Sequence, residues 1–350
     1  VASIALVTTT IHVPEVLRQY RAADPDALFI IAGDLKSPHC EIERLCDELG
    51  NARYISPMAQ MAMGYKCSPV VGFNSIQRRN IAILEAIKSG ADIVLTIDDD
   101  NAPKSPTYFE TLRRSFDGPA GYEVLSPYQG WFNVGEFAQE RFVYRGFPME
   151  YRANPQDRAF TIAPVETCPG RVGIVNGLIH GDPDVSAIER YPAGGPRVYW
   201  YREEARAGIY VNPRTTWTPI NSQNTAYRRD LAPLAFVLPH VGRYDDIWAS
   251  YIALACLRGT DDYVLFGEPH VRQARNPHNL VKDLKAELLG MEWTLPFVEW
   301  LGSVTDGDTP LERLTAISMA MGAQETLNGL PLLPMYRFLR AWLDDVERVL

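Results

Sequence analysis

The sequence predicts an α/β protein, with a mostly parallel sheet, helices on both faces and a helical C-terminal region. Three observations predict it. Apolar, β-branched runs alternate with helix-periodic stretches over the first hundred residues. The middle of the chain breaks into short runs between Pro-, Gly- and aromatic-rich loops, and the last seventy residues read as long helices.

Residues 2–10 are an apolar run ending in Thr8-Thr9-Thr10, and Pro14 opens a helical stretch to residue 23. A second run, 27–32, ends at Gly33-Asp34 and is followed by a helical pattern over 38–49 and a short strand near 53–56. In residues 74–90, Ile76, Ile81, Leu84 and Ile87 fall on one helical face, which leaves Gln77, Arg78, Arg79 and Asn80 on a polar face. The strand 93–97 follows. These hundred residues resemble a nucleotide-binding α/β half-domain. From 123 to about 218, loops such as Arg145-Gly146-Phe147-Pro148 and Ala193-Gly194-Gly195-Pro196 are expected to build a substrate cleft. Helical stretches are expected over 280–301, 311–327 and 336–350. No repeat or clean linker divides the chain, so the expectation is one catalytic domain over 1–280 with a helical region, 281–350, packed on it.

With 350 residues and 46% apolar content, the chain can bury a large core. A net charge of -9 makes nucleic acid an unexpected partner, while a local basic pocket for phosphates is still allowed. The five cysteines, Cys40, Cys46, Cys67, Cys168 and Cys256, show neither a C-x-x-C pair nor a disulfide framework, which fits a reducing cytoplasm. No run is long enough for a membrane span and no signal pattern is seen, so a cytoplasmic location is expected.

The chemistry centres on Asp98-Asp99-Asp100, directly after the strand Ile93-Val94-Leu95-Thr96-Ile97. Three adjacent carboxylates repel one another unless a cation or hydrogen bonds offset them. Alternation along an extended backbone puts Asp98 and Asp100 on one side, spaced to share a Mg²⁺ or Mn²⁺ with substrate phosphates, and turns Asp99 away. A solvated acidic turn is the competing reading on spacing alone. The position at the carboxyl edge of a parallel sheet favours the metal.

Lys66 and Arg78 are candidates for phosphate contact, with a solvated face as the alternative. In Gly242-Arg243-Tyr244-Asp245-Asp246-Ile247-Trp248, one of Asp245 and Asp246 can cap the following helix while the other meets a sugar hydroxyl or moves a proton. His270 could complete a metal shell or be structural. Arg145 and Arg152 flank an aromatic, proline-containing turn, and each reads either as a surface charge or as a planar cation for phosphate or sugar.

Together these residues resemble the reversibly glycosylated polypeptide family, which includes the UDP-arabinopyranose mutases. The resemblance runs from about residue 74 to 300. It rests on Thr96-Ile97-Asp98-Asp99-Asp100, Arg145-Gly146-Phe147-Pro148, Asn224 through Asp230-Leu231, the 242–248 motif, and Asn276-Pro277 with Asn279-Leu280. It implies a glycosyltransferase-A-like, Rossmann-like fold and flavin-independent interconversion of pyranose and furanose forms of a nucleotide sugar with Mn²⁺ or Mg²⁺. It also implies that Arg145 is reversibly glycosylated and that Arg152 is a second functional arginine. Met149-Glu150-Tyr151 departs from the plant pattern between those arginines. A resemblance to the family's bacterial GDP-fucose mutase branch implies GDP-fucose as substrate, with UDP-arabinose as the other.

The site expected on these grounds has Asp98, Asp100 and His270 on the metal. Thr8, Asp34, Lys66, Arg78, Asp99 and Asn224 hold the nucleotide sugar, and Arg145, Arg152, Asp245 and Asp246 carry the chemistry. The partner is a nucleotide-diphosphate sugar, and a homo-oligomer is allowed for. A glycosyltransferase acting on a separate acceptor and a non-catalytic sugar-nucleotide-binding subunit are the competing readings.

Overall fold

A computed structural model describes residues 1–191, 200–273 and 279–350. The expected loop Ala193-Gly194-Gly195-Pro196 and the Asn276-Pro277 pair lie outside the described residues. Eleven strands form one sheet: β1 (Ile4–Thr10), β2 (Leu28–Gly33), β3 (Ala52–Ile55), β4 (Ile93–Ile97), β5 (Asn101–Pro103), β6 (Gly121–Leu125), β7 (Thr161–Val165), β8 (Arg171–Gly181), β9 (Ile209–Val211), β10 (Asn224–Arg228) and β11 (Asp262–Gln273). They run in the order β3-β2-β1-β4-β10-β8-β11-β9-β6-β7, with β5 paired to β11. The half β3-β2-β1-β4 is parallel, as its alternation with helices requires, and the sheet turns mixed where β10 enters antiparallel to β4 and β8. The fold class is the one the sequence predicts.

Alternation of side chains divides the core in two. Ala5, Val7, Ile30, Ala32 and Val94 point to one face of the sheet, and Ile4, Leu6, Phe29, Ile31, Ile93, Leu95 and Ile97 point to the other. Both faces are covered, so β1 and β4 are buried along their whole length. Helices Leu17–Ala23, His39–Leu49 and Tyr108–Phe116 close the second face. Helices Arg79–Ser89, Asp245–Leu257, Leu280–Ser303, Pro310–Gln324 and Leu333–Val349 share one apolar cluster on the first. There Trp248 stacks on Phe297 at 4.4 Å, and Trp342 donates its indole N–H to the Pro233 carbonyl at 2.8 Å. Anchors of this kind cost about 3–5 kcal/mol when truncated to alanine. Among the described residues no helix is long and apolar enough to cross a membrane, and all five cysteines are free.

One expectation is corrected here. The helix Arg79–Ser89 has no solvated polar face, because it lies between the sheet and the C-terminal helix, and every residue from Arg79 to Ile87 is buried. Arg78 and Arg79 are 0% and 1% exposed.

The sheet also sets where the site must be. Parallel strands β1, β2 and β4 end at Thr10, Gly33 and Ile97, so Asp34 and Asp98-Asp99-Asp100 emerge along one edge. Antiparallel β10 starts at that edge, with Asn224 opposite Ile97, and brings Ser222 and Gln223 alongside.

Candidate functional site

Two adjoining cavities open at this carboxyl edge. One, of about 470 Å³, is lined by Asp98, Asp100, Arg145, Asp245 and Asp246, with Ser222, Gln273 and others. The second, of about 340 Å³, is lined by Thr10, His12, Asp34, Lys36 and Asp99, among others. Residues Asn74, Ser75 and Ile76 line both and form the wall between them. That wall is held by Asp34, whose carboxylate accepts from the Asn74 and Ser75 amides at 2.7 and 2.8 Å. Asp34 therefore acts on the cavity through the backbone it fixes.

Each member of the acidic run has its own partner. At an effective dielectric of 20, two like charges about 4 Å apart cost about 4 kcal/mol, so none can be left uncompensated. Asp98 is ion-paired to the buried Arg79, whose other amino group donates to the Ser222 hydroxyl at 2.8 Å. Asp99 accepts a hydrogen bond from the Thr10 hydroxyl and faces the second cavity. Burial raises its carboxyl above the usual aspartate value. Asp100 accepts from the Gln273 amide at 3.4 Å.

The first and third carboxylates line one cavity, and no three His, Cys, Asp or Glu groups gather into a metal cage among the described residues. This donor set fits a divalent cation that takes one or two protein carboxylates and completes its shell with substrate phosphates. His270 is not part of it. Its ring packs against His180, with centroids 4.8 Å apart, and burial lowers its pKa to about 3. His270 lines neither cavity, so the structure does not bring the expected third metal ligand to Asp98 and Asp100.

Arg145 is the best-anchored group in the larger cavity. It is 5% exposed, and its guanidinium donates twice to Asp184, at 2.8 and 2.7 Å, and once to Asp246 at 3.1 Å. Nη1 has no partner. The backbone repeats the attachment, with the Arg145 amide donating to the Asp184 carbonyl at 2.8 Å. Gly146 makes the approach feasible. It sits at φ +96°, and a Cβ there would lie 2.3 Å from Ile247 Cγ2 in the helix that carries Asp246. Although burial alone would favour loss of the proton, the two carboxylates outweigh it and hold the guanidinium charged well beyond its ordinary range. With both carboxylates in place, the arginine presents a fixed cation at the cavity.

Asp246 completes the frame by accepting from the Ser222 amide and hydroxyl at 3.0 and 3.3 Å. Asp245 stands at the first turn of its helix, accepting from the Asp246 amide at 3.0 Å and from the Gln77 side chain, also at 3.0 Å. Burial, first, and the neighbouring Asp246 raise its carboxyl to about 7. It can take up and return a proton near neutrality.

This has a measurable consequence. A step that needs ionised Asp245 is expected to accelerate as pH rises through about 7, and Asp245→Asn to abolish that limb of the pH–rate profile. An unfolded aspartate titrates near 3.9. The folded chain therefore binds the proton more tightly between the two values, and this stabilisation is full below about 4 and lost as pH rises through about 7. Asp245→Asn should accordingly gain thermal stability relative to the parent above pH ~7 and not below ~4.

Several expected residues lie elsewhere. Arg78 donates to Gln60 Oε1 at 2.7 Å, to the Ser68 carbonyl and hydroxyl at 3.0 Å each, and to the Gly72 carbonyl at 3.3 Å. Its donors brace residues 60–72 in place of a phosphate. Lys66 pairs with Asp344 of the C-terminal helix at 2.7 Å. Thr8 lies inside β1 and is 0% exposed. Asn224 donates to the Pro269 carbonyl at 2.9 Å and accepts from the Tyr108 hydroxyl, which ties β10 to β11. Arg152 is spent on the Phe147 and Tyr144 carbonyls and the Ser186 hydroxyl, at 3.0, 3.0 and 2.9 Å, and holds the turn that carries Arg145. None of these five lines either cavity. Within 123–218, the region expected to build the cleft, Arg145 is the described residue that lines the larger one.

Asp184, Ser222 and Gln273 carry no local signal; they are ordinary polar residues until the fold brings them beside Arg145, Asp246 and Asp100 respectively.

No family model matches the chain, and no curated protein does. Among solved structures, it is similar to the 4-diphosphocytidyl-2C-methyl-D-erythritol synthase of Anaerococcus prevotii DSM 20548. That similarity has a TM-score of 0.33 and 10% identity, and covers 84% of this chain and 96% of that one.

Proposed function

We propose that this chain is an enzyme of nucleotide-sugar chemistry, a metal-dependent and flavin-independent mutase that interconverts pyranose and furanose forms of a nucleotide-diphosphate sugar. GDP-fucose is the favoured substrate and UDP-arabinose the alternative. The observation that carries this reading is the convergence of Asp98, Asp100, Asp245 and Asp246 on one cavity with Arg145, a buried arginine that keeps one amino group unpartnered.

Asp98 and Asp100 would hold Mn²⁺ or Mg²⁺, which when bound neutralises a diphosphate. Arg145, kept charged by Asp184 and Asp246, offers its unpaired Nη1 to the phosphate oxygen that gains charge as the C1–O bond to the diphosphate breaks. The electron pair leaves with the diphosphate, and C1 becomes cationic. The sugar O4 hydroxyl then bonds to C1 and gives its proton to Asp245. Asp245 returns that proton to O5 as the C1–O5 bond breaks, and the diphosphate recaptures C1 as the furanoside. Atoms and protons balance, and a carboxyl titrating near 7 suits both transfers.

The test is to incubate the protein with Mn²⁺ and a panel of UDP- and GDP-pyranoses without any acceptor. A furanose product is expected from one of them. Hydrolysis alone, or sugar transfer only when an acceptor is added, would overturn the mutase reading in favour of a glycosyltransferase.

A further inference from the structure

A second polar cluster lies beyond the two cavities and plays no part in the chemistry above. His180, on β8, is 3% exposed, and neither of its ring nitrogens has a hydrogen-bond partner. His270, on β11, packs against it and leaves its Nε2 buried and unpartnered. Buried polar atoms are almost always satisfied, so three such nitrogens side by side call for a missing partner.

The surroundings say what kind of partner. Arg272 is paired in register with His180, and the Lys104 amide donates to the His270 carbonyl at 3.1 Å. The Lys104 ammonium lies over the Trp200 ring at 5.0 Å, and that ring packs against His180 at 5.4 Å. Arg206 stands near enough to Lys104 and to both imidazoles to act on their charge. Lys104, Arg206 and Arg272 are exposed, and none is within ion-pair reach of an acidic group among the described residues. The undescribed segments 192–199 and 274–278 contain no acidic residue at all. Three unpaired cations around two imidazoles, in a chain of net charge -9, form a local positive field.

Two imidazoles facing each other could hold a soft metal ion, and the charges exclude that choice. A divalent cation would sit among three uncompensated positive charges, whereas an oxyanion would be attracted by all three. Bound there, an oxyanion would accept from the imidazole nitrogens and favour their protonated forms, supplying the partners the histidines lack. We infer that His180, His270, Lys104, Arg206 and Arg272 form an anion-binding site for a phosphate group, separate from the diphosphate cavity and independent of the proposed mutase activity.

The experiment follows the imidazole nitrogen signals by NMR during titration with inorganic phosphate and, in a second arm, with a hexose 1-phosphate. Lys104→Gln and Arg272→Gln chains are run alongside, since both side chains are exposed and the fold does not depend on them. Binding should shift the His180 and His270 signals together and raise their pKa. Each variant should weaken binding by about tenfold or more, the loss expected for one charge-assisted hydrogen bond. Equal affinities in the two arms would identify free phosphate as the ligand, and tighter binding of the ester would identify the phosphate end of a larger molecule. Phosphate taken up only in the diphosphate cavity would leave these signals and the variants unaffected, and that result would overturn the site, as would unchanged imidazole titration in both arms.

Discussion

Replacing Arg145 by lysine is expected to lower kcat/KM by about 10²–10³-fold, the loss typical of removing one preorganised donor to developing charge. A lysine keeps the charge. It cannot donate twice to Asp184 and once to Asp246 while leaving another N–H free, because an ammonium lacks the planar fork. Steady-state kinetics on the Arg145→Lys chain check this, and near-normal turnover would sink the role given to the guanidinium. Arg145→Ala is less informative. It breaks the buried pairs with Asp184 and Asp246, whose side chains are 1% and 9% exposed, at a cost of about 3–5 kcal/mol. Lost activity in that variant would merge with lost folding.

The second large effect concerns the acidic run. Asp98→Asn and Asp100→Asn are each expected to raise the Mn²⁺ concentration needed for half-maximal turnover by about tenfold or more, which is the loss of one charged oxygen from the cation's shell. They should differ in stability. Asp98→Asn also removes the ionic partner of Arg79, which is 1% exposed and has the Ser222 oxygens as its other acceptors. Since Asp98 itself is one quarter exposed, its loss is expected near the lower end of the range of about 3–5 kcal/mol for breaking a buried pair. Metal titrations of turnover, paired with thermal melts of the metal-free chains, separate the two roles. Full activity of both variants in the presence of a chelator would dispose of the metal.

The parts of this molecule legible in the sequence are those fixed by local pattern. Strands β1 and β4 are readable because both of their faces are buried, and such a strand shows as a continuous apolar run. Asp98-Asp99-Asp100 was readable as a strand-end cluster for the same reason. The character of Arg78 and Arg79 was not legible. A helix with a polar stripe looks solvated until something covers that stripe, and here the cover includes the helix Leu333–Val349, some 250 residues along the chain. His270 failed differently, since a lone histidine carries no spacing to test and its neighbour, His180, lies on a strand ninety residues earlier. Asp184 was invisible because its pairing with Arg145, 39 residues away in sequence, is set by the fold and by no local pattern.

The wall formed by Asn74, Ser75 and Ile76 has a consequence for affinity. A ligand reaching over it occupies both compartments at once, and the second half then binds as a tethered group at high effective concentration. Cut such a ligand at the wall, and the two fragments together would bind far more weakly than the intact molecule, although every individual contact is retained. Asp34 touches only backbone amides on that wall, yet it sets the distance the tether has to span.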